Sequence, residues 1–294
     1  MTTKHWREVP RQDGRRFVVT GASGGIGLAT AQVLAERGAH VVLAVRNLDR
    51  GRAAAEQMHG DVEVGLVDVS ELSSVRAFAE TLGEVDVLVN NAGALALPFG
   101  TSPDGVELHL ATNHLGHFAL TNLVLPRLTD RVVVVGSPSH RHGRVDVDDL
   151  AWSHRRYRPY AAYADSKLAN LLFMAELQRR LTAVGSTLRV TGAHPGSTAT
   201  GITGHTGNRV KTWVGRFGHR LVGMKPWQGA LPVLYAATMD VPGNTYVGPH
   251  RWREMNGWPT GVGRSQRALD PDLAKALWAE SERLSGVSFP LSPS

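Results

Sequence analysis

The chain has 294 residues, of which 42% are hydrophobic and 20% are charged, and it contains no cysteine. These values exclude a disordered chain, a disulfide framework, thiolate metal ligands and a cysteine nucleophile. The net charge of +6 suits solubility, an anionic partner or a phosphorylated cofactor, but no basic arm concentrates it, so we predict no nucleic-acid partner. The sequence shows no apolar leader and no run as long as a membrane span, which predicts a cytoplasmic protein.

Short apolar runs alternate along the chain with segments of helical spacing. The runs are rich in β-branched residues, as in strands buried on both faces of a parallel sheet, and they cover 17–20, 40–45, 62–67, 85–89, 131–135 and 188–191. Helical spacing is clearest over 26–37 and 168–181. This alternation predicts a single α/β, doubly wound Rossmann-type domain, with a central parallel sheet of about seven strands flanked by helices. We expect that domain to span 1–294, with a core of about 15–250, a substrate lid over 197–226 and a C-terminal extension over 251–294.

A glycine-rich turn joins the first predicted strand to the first predicted helix. It runs over Thr20–Gly27 with the sequence Thr-Gly-Ala-Ser-Gly-Gly-Ile-Gly. Glycine permits tight turns and close approach of a ligand, and the helix N-terminus beyond it offers free N–H groups to a pyrophosphate. The spacing differs from the Gly-x-Gly-x-x-Gly of most dinucleotide folds. The turn predicts a dinucleotide site, with a purely structural turn as the alternative.

The ends of the second and third predicted strands supply further candidates. Enzymes that use NAD usually place an acidic residue after the second strand, but Val45 stands there and Arg46 follows it. Because a guanidinium matches a 2′-phosphate, we predict NADP(H) rather than NAD(H), with a solvated strand-end charge as the alternative role of Arg46. Asp68 and Val69 close the third strand. Asp68 is a candidate to receive the adenine amino group, or else a turn residue or helix cap.

Tyr163 is the only tyrosine of the chain that has a lysine, Lys167, four residues later. On a helix these two positions share a face, so the ammonium is expected close to the phenol. A nearby positive charge favours phenolate and lowers the pKa of tyrosine. Such a phenol can give a proton to a carbonyl oxygen or remove one from an alcohol. Taken alone, the pair is also consistent with an accident on a helix surface.

Three further groups make a surface accident the weaker interpretation. Ser137 follows the 131–135 strand, at the end where parallel sheets bind ligands, and its hydroxyl is placed to hold a carbonyl oxygen. The sequence Asn-Asn-Ala-Gly over 90–93 supplies small and amide residues that suit close approach of a cofactor. Asn113 lies in a helical pattern that asparagine does not favour. We therefore interpret Asn113 as a functional residue, with a polar residue on a helix face as the alternative.

Together these motifs resemble the short-chain dehydrogenase/reductase superfamily, over roughly residues 15 to 250. The details are most similar to its retinol dehydrogenase-like branch, which includes the WW-domain oxidoreductase-like proteins. They include the sequences at 45–47, 166–173, 193–196 and 225–230, and the gap of 26 residues between Ser137 and Tyr163. The protochlorophyllide reductases are also similar, but they carry a cysteine near the site that this chain lacks.

The resemblance implies a role for each matching residue. Tyr163 would be the general acid/base, Lys167 would lower its pKa and bind the nicotinamide ribose, Ser137 would polarise the carbonyl, and Asn113 would help hold the water chain that returns the proton. The residues implied to bind the cofactor are Gly21, Ser23, Gly25, Ile26, Gly27, Arg46, Asn47, Asp68, Val69, Asn91, Ala92, Gly93, Tyr163, Lys167, Pro195, Gly196 and Thr198.

The chain departs from the branch in three places. Gly136 replaces the first of two serines that are common there, Pro138 follows the second, and residues 1–14 lack the hydrophobic anchor of membrane-bound retinol enzymes. Pro138 is expected to alter the loop after the catalytic serine. The missing anchor weakens a retinoid as the substrate.

The sequence thus predicts an NADP(H)-dependent oxidoreductase that interconverts a carbonyl and an alcohol. Two alternatives stay open: an NADP(H)-binding regulator or scaffold without turnover, and a C=C or imine reductase on the same fold. We expect a small-molecule substrate, apolar or aromatic in character, and a homo-oligomer is consistent with the resemblance. The histidine pairs at 114/117 and 140/142 lack the carboxylates or thiolates of a metal site, so we predict no metal.

Overall fold

The computed structural model describes residues 9–196, 225–252 and 254–292. Its strands are β1 (Arg16–Thr20), β2 (His40–Val45), β3 (Asp61–Leu66), β4 (Val85–Asn90), β5 (Leu128–Val135), β6 (Arg189–Ala193), β7 (Tyr246–Arg251) and β8 (Asn256–Gly261). Its α-helices are α1 (Gly25–Glu36), α2 (Leu48–Ala55), α3 (Leu72–Thr81), α4 (Leu108–Leu110), α5 (Gly116–Val124), α6 (Pro159–Ala183), α7 (Pro226–Thr238) and α8 (Pro271–Ser285). A π-helical turn over Ala111–Leu115 joins α4 to α5.

The eight strands form one sheet in the order β3-β2-β1-β4-β5-β6-β7-β8. Strands β1 to β7 are parallel to their neighbours, and β8 pairs antiparallel with β7. The strand order reverses between β1 and β4, because β2 and β3 lie on one side of β1 and β4 to β7 on the other. In such sheets ligands bind at the carboxyl ends of the strands beside this switch point.

A separate apolar core covers each face of the sheet. On one face α1 and α7 contact each other, and the core includes Leu34 and Leu234. On the other face α3, α5, α6 and α8 surround a core that includes Phe118, Leu171 and Trp278. Both faces of the central strands are therefore buried, which explains their continuous runs of valine. Within the described ranges, no helix combines the length and apolar composition that crossing a membrane requires.

The predicted fold class is confirmed, and six of the predicted strands match β1 to β6 within a few residues at each end. The predicted helix over 168–181 is longer than expected, because α6 begins at Pro159, in the position that suits proline in the first helical turn. The early start places both Tyr163 and Lys167 inside one continuous helix.

The segment 251–294 is more than an extension added to the core. Strand β8 completes the sheet, and the Trp278 ring of α8 packs 4.8 Å from Phe118 and 5.8 Å from Phe173, measured between ring centroids. The end of the chain thus closes the same core that supports α5 and α6. Of the predicted lid over 197–226, residues 197–224 lie outside the described residues.

Candidate functional site

The predicted site residues gather at the carboxyl ends of β1, β4 and β5, beside the switch point. The glycine turn follows β1, the segment Asn91–Gly93 follows β4, and Ser137 follows β5. Helix α6 crosses the same edge and brings in Tyr163 and Lys167. Residues separated by more than 140 positions in the sequence therefore share one side of the sheet.

Glycine is required in the turn after β1 because the backbone there is crowded. Gly21 and Gly25 have positive φ angles of 67° and 59°. A Cβ atom on Gly21 would lie 2.9 Å from the Cα of Ala92, and one on Gly27 would lie 2.4 Å from the Nδ2 of Asn91. Helix α1 then starts after Gly24 with no side-chain cap, which leaves its first N–H groups for a ligand. The turn fits the pyrophosphate of a dinucleotide.

The Thr20 hydroxyl fastens this turn to the end of β4. It accepts hydrogen bonds from the backbone N–H groups of Asn91, at 2.8 Å, and Ala92, at 2.9 Å. The Asn91 side chain returns a bond from its Nδ2 to the Thr20 carbonyl oxygen at 2.6 Å. These bonds hold the two loops on either side of the switch point at a fixed separation. Thr20 was quoted in the motif but was not predicted as a site residue.

Arg46 lies beyond the end of β2, next to the glycine turn, where the Gly21 N–H donates to the Ala44 carbonyl at 2.8 Å. Its side chain is exposed and makes no hydrogen bond or ion pair with the part of the chain that the structure describes. The neighbouring Asn47 is engaged, because its Oδ1 accepts from the Arg50 N–H at 2.9 Å and caps α2. Arg46 is thus a guanidinium available to a ligand.

The segment after β3 lies against the start of α5. Asp68 accepts at Oδ1 from both the N–H and the hydroxyl of Ser70, so it acts as the turn residue that was one of its predicted roles. A Cβ atom on Gly116 would lie 1.8 Å from the carbonyl oxygen of Val69. Glycine at the first residue of α5 therefore permits its close contact with Val69.

Tyr163 and Lys167 share the face of α6 that is directed at the strand ends, as predicted. The Lys167 ammonium donates to the Val135 carbonyl at 3.0 Å and lies 5.9 Å from the centroid of the Tyr163 ring. Asn170, three residues after Lys167 on this face, donates to the same carbonyl at 3.3 Å. Lys167 is 4% exposed, so its charge is held in a largely dry environment.

The acid–base balance of this pair differs from the sequence expectation. Burial raises the pKa of the Tyr163 phenol, a hydrogen bond with Ser137 opposes this rise, and the neighbouring Tyr160 adds to it. The sequence predicted that Lys167 would lower the Tyr163 pKa. Instead the ammonium donates to a backbone carbonyl, and burial lowers the pKa of Lys167 itself to about 8. Burial thus opposes the charged form of both side chains.

Asn113 lies within the π-helical turn between α4 and α5 and is completely buried. Its Oδ1 accepts from the Ala94 N–H at 2.7 Å, and its Nδ2 donates to the Ala94 carbonyl at 3.0 Å and to the Ser166 hydroxyl at 2.8 Å. Ser166 in turn donates to the Tyr163 carbonyl at 2.7 Å. The side chain therefore connects the strand β4 loop with the helix that carries the tyrosine. Single-turn π-helices are frequent at functional sites.

Ser137 caps a short 3₁₀ helix over Pro138–His142. Its Oγ accepts from the Ser139 N–H at 3.2 Å, and its hydroxyl opposes the rise in the pKa of Tyr163. Pro138 occupies the first helical position, where its fixed φ and missing N–H are tolerated, so this departure keeps the serine in place. The geometry explains the other departure as well: a Cβ atom on Gly136 would lie 2.7 Å from the Tyr246 hydroxyl.

We predict that Gly136→Ser lowers the free energy of unfolding by about 1–3 kcal/mol, the usual cost of overpacking a core. Replacing Tyr246 with phenylalanine in the same chain removes the clashing oxygen and should recover part of the loss. Urea unfolding of the two single variants and the double variant measures this coupling. Gly263→Ser is the control, because a Cβ there meets nothing within 4 Å. Equal losses at 136 and 263 would contradict the explanation.

Pro195 and Gly196 follow β6 at the same edge of the sheet, whereas Thr198 lies outside the described residues. The buried His194 side chain supports this turn. Its Nε2 bonds Glu254 Oε2 at 3.1 Å, and its Nδ1 accepts from the Gly196 N–H at 3.3 Å. Glu254 belongs to the segment between β7 and β8 and also pairs with Arg141 at 2.9 Å. No sequence signal predicted this support, because Glu254 is 60 residues from His194.

Three of the four histidines that were considered for metal binding serve other contacts. His114 Nε2 bonds the Ser281 hydroxyl at 2.9 Å, and His117 bonds Thr20 and Asn113. His140 Nδ1 donates to the Ser137 carbonyl at 2.7 Å. Among the described residues, no group of three or more histidine and acidic side chains is placed to hold a metal ion.

Known proteins are similar to this chain in both sequence and fold. The family model described as short chain dehydrogenase matches residues 15–211. Human retinol dehydrogenase 13 is 38% identical over 94% of this chain and 86% of its own length, and mouse polyprenol dehydrogenase is 40% identical over 95% and 86%. A crystal structure of an uncharacterised protein from Mycobacterium paratuberculosis is 49% identical, with a TM-score of 0.86 over 97% of this chain and 98% of that one.

The family match covers the glycine turn, the β4 segment, Ser137, Tyr163 and Lys167, which the structure brings to one edge of the sheet. The retinol and polyprenol dehydrogenases align with nearly the whole chain, including the strands and helices beyond residue 211. The chain belongs to the short-chain dehydrogenase family and, within it, to the retinol dehydrogenase-like branch of oxidoreductases.

Proposed function

We propose that this chain is an NADP(H)-dependent oxidoreductase that interconverts a carbonyl and an alcohol, with Tyr163 as the general acid/base. The observation that carries the proposal is the buried Lys167, which shares a face of α6 with Tyr163 and donates to the carbonyl of Val135, two residues before Ser137, at the end of the sheet where the glycine turn lies. This arrangement supplies a proton donor, a second hydroxyl to hold the reacting oxygen and a cation that stabilises negative charge.

The residues present fit a nicotinamide dinucleotide. Gly21 and Gly27 let the turn pack closely on the β4 loop, and α1 begins beyond it with uncapped N–H groups for a pyrophosphate. A Cβ on Gly93 would lie 3.2 Å from Asn113 Oδ1, so this part of the β4 loop has little space for a side chain. We propose that Asp68 and Val69 line the adenine pocket, that Pro195, Gly196 and Thr198 contact the carboxamide, and that the other cofactor residues named above line the path between them.

The bound cofactor supplies the hydride, and the protein supplies position and electrostatics. In the reducing direction we propose that the Tyr163 hydroxyl gives its proton to the carbonyl oxygen while Ser137 donates a hydrogen bond to the same oxygen. The phenolate that remains is stabilised by the Lys167 ammonium. Lys167 and the Asn113 segment then return a proton to Tyr163. In the oxidising direction each step is reversed.

Arg46 supports NADP(H) over NAD(H). The strand β2 ends at Val45 without an acidic residue, and the Arg46 guanidinium is exposed beside the glycine turn. Asp49 is directed elsewhere, at 3.8 Å from Arg52 on the same helix. A planar guanidinium binds phosphate with two parallel hydrogen bonds, whereas a ribose hydroxyl offers it no charge to pair with.

We expect Arg46→Ala to weaken NADPH binding by about tenfold to a hundredfold, the value of a charge-assisted hydrogen bond, and to leave NADH binding unchanged. Titration followed by cofactor fluorescence measures both dissociation constants. Arg50→Ala is the matched control, since Arg50 is exposed on the following helix turn. Equal binding of both cofactors, unaffected by Arg46, would overturn the choice of NADP(H), and binding of neither would favour a scaffold without turnover.

We propose an apolar alcohol or aldehyde as the substrate. The relatives named for retinol and polyprenol share 38% and 40% of aligned residues with this chain. Tyr160 is 54% exposed and lies one helical turn before the catalytic tyrosine, with ring centroids 6.2 Å apart. Phe99 is 57% exposed and packs on Tyr157, whose hydroxyl bonds His109, and the His109 ring lies 6.3 Å from that of Tyr163. Such a rim suits a flat apolar ligand. The cytoplasmic location and a homo-oligomer stay predictions.

A further inference from the structure

His117 is a buried histidine in the first turn of α5, one turn after Asn113. Its Nδ1 lies 3.1 Å from the Asn113 carbonyl oxygen, and its Nε2 lies 2.9 Å from the Thr20 hydroxyl. The ring thus lies between the glycine turn after β1 and the π-helical turn. Among the described residues, no other side chain makes hydrogen bonds to both the Thr20 hydroxyl and the Asn113 carbonyl.

The hydrogen-bond partners select one tautomer. A carbonyl oxygen only accepts, so Nδ1 carries the proton and donates to Asn113, which leaves Nε2 as an acceptor. The Thr20 hydroxyl already accepts from the N–H groups of Asn91 and Ala92, and its own proton is free to be donated to Nε2. The alternative acceptor for that proton, the Val89 carbonyl, is farther away at 3.3 Å.

The imidazole is neutral near pH 7, as this arrangement requires. Burial lowers the pKa of His117 to about 4, the bond to the Asn113 carbonyl opposes this shift, and the Lys167 ammonium lowers the pKa further. The influence of Lys167 also shows that His117 lies within electrostatic reach of the catalytic lysine. A neutral ring at this position links the two turns without placing a second charge beside Lys167.

His114, three residues before His117, is a histidine with structural contacts, and it provides a comparison. It bonds the Ser281 hydroxyl of α8 through Nε2, leaves Nδ1 without a partner among the described residues, and packs edge-on against Phe173. Its ring contacts are with Phe118 and Phe173, in the core behind the sheet. His117, three residues later, is directed at the cofactor turn instead.

We propose that His117 is a positioning residue that couples the cofactor turn, through Thr20, to the Asn113 backbone and hence to the Asn113 side chain near the catalytic lysine. The inference rests on the proposed roles of the glycine turn, Asn113 and Lys167. Asn113 and Lys167 both border Gly93, where a Cβ would lie 3.2 Å from Asn113 Oδ1 and 3.6 Å from Lys167 Nζ. A shift of the Asn113 backbone moves the Asn113 side chain that borders Gly93 with Lys167, and so changes the path by which a proton reaches Lys167. A Thr20 hydroxyl that turns away loosens the loop that borders the cofactor.

Replacing His117 with asparagine or with glutamine distinguishes its bond to the Asn113 carbonyl from its bond to the Thr20 hydroxyl. The amide of His117→Asn lies near the Nδ1 position and keeps a donor for Asn113, whereas the amide of His117→Gln lies near the Nε2 position and keeps an acceptor for Thr20. We expect the Asn variant to raise the NADPH dissociation constant about fivefold and the Gln variant to lower kcat about fivefold, which is the value of one hydrogen bond. Each variant should change the other quantity less.

The measurements are NADPH titration by fluorescence, steady-state kinetics with an apolar aldehyde such as retinal, and thermal melting of each variant. His114→Gln is the matched control and should leave both constants unchanged. If the two His117 variants lose affinity and kcat together, in proportion to a fall in Tm, or if neither constant changes, the inference is wrong. Wild-type protein that binds no NADPH would instead overturn the proposed function, so the two failures are distinguishable.

Discussion

Replacing Tyr163 with phenylalanine should lower kcat by about 10²–10⁴-fold, the usual contribution of a general acid/base, and leave NADPH binding nearly unchanged. The variant removes only the phenol oxygen, and the ring keeps its packing against Tyr160 on α6. Because burial raises the pKa of Tyr163, the phenol holds its proton near neutral pH and is ready to donate it to a carbonyl. The effect should therefore appear in turnover and not in cofactor affinity.

Tyr160→Phe is the control for this experiment, because Tyr160 lies one turn earlier on the same helix. It is 54% exposed, and its hydroxyl is 3.0 Å from the Ser139 hydroxyl, outside the reacting group of side chains. Carbonyl-dependent oxidation of NADPH, followed by absorbance, measures turnover, and fluorescence titration measures binding. A Tyr163→Phe variant that turns over at the wild-type rate would show that the proton comes from another group.

Much of this site was predictable because its motifs are local. The glycine turn, the Tyr163–Lys167 spacing and the serine after β5 each need only a strand end or one helix face to be placed, and the strand runs themselves are continuous in valine. The structure confirms the α/β sheet and brings these residues together. Their chemical roles stay predictions until the variants are measured.

The remaining features depend on contacts between distant segments. Strand β7 contains Gly248 and Pro249, and β8 contains Pro259, which dilute the strand pattern; β8 lies at the sheet edge, where proline is tolerated. The Thr20–His117 bond joins residues 97 positions apart, so no spacing in the sequence reveals it. The predicted lowering of the Tyr163 pKa was wrong for the same reason. The sequence shows the charge of Lys167 but not the burial that opposes the charged forms of both side chains.

Replacing Lys167 with methionine should lower kcat by about a hundredfold or more and at the same time stabilise the protein without cofactor. Methionine has a similar length and keeps the apolar stem, but it removes the ammonium that stabilises the phenolate and binds the nicotinamide ribose in the proposed function. In the absence of cofactor that ammonium is buried with one hydrogen bond to the described residues, which it donates to the Val135 carbonyl. The proposed mechanism thus requires a charge whose burial the fold alone does not favour.

The pH dependence of stability tests this cost directly. Burial lowers the Lys167 pKa from 10.5 to about 8, so between these values the unfolded chain binds a proton that the folded chain does not. The contribution of Lys167 to stability therefore rises with pH through this window, and below it the folded wild type carries the full cost, on the order of 3 kcal/mol. The methionine variant has no such dependence.

Urea unfolding of cofactor-free protein at about pH 7 and about pH 9.5 compares wild type with Lys167→Met. We expect the variant to be more stable by about 1–3 kcal/mol at the lower pH, and the difference to shrink at the higher pH as the wild type loses its proton. Lys275→Met, at an exposed position on α8, should show no such pH-dependent difference. A methionine variant that is less stable at neutral pH, or a difference that grows with pH, would mean that the buried ammonium stabilises the fold, and the conflict between charge burial and catalysis would not exist.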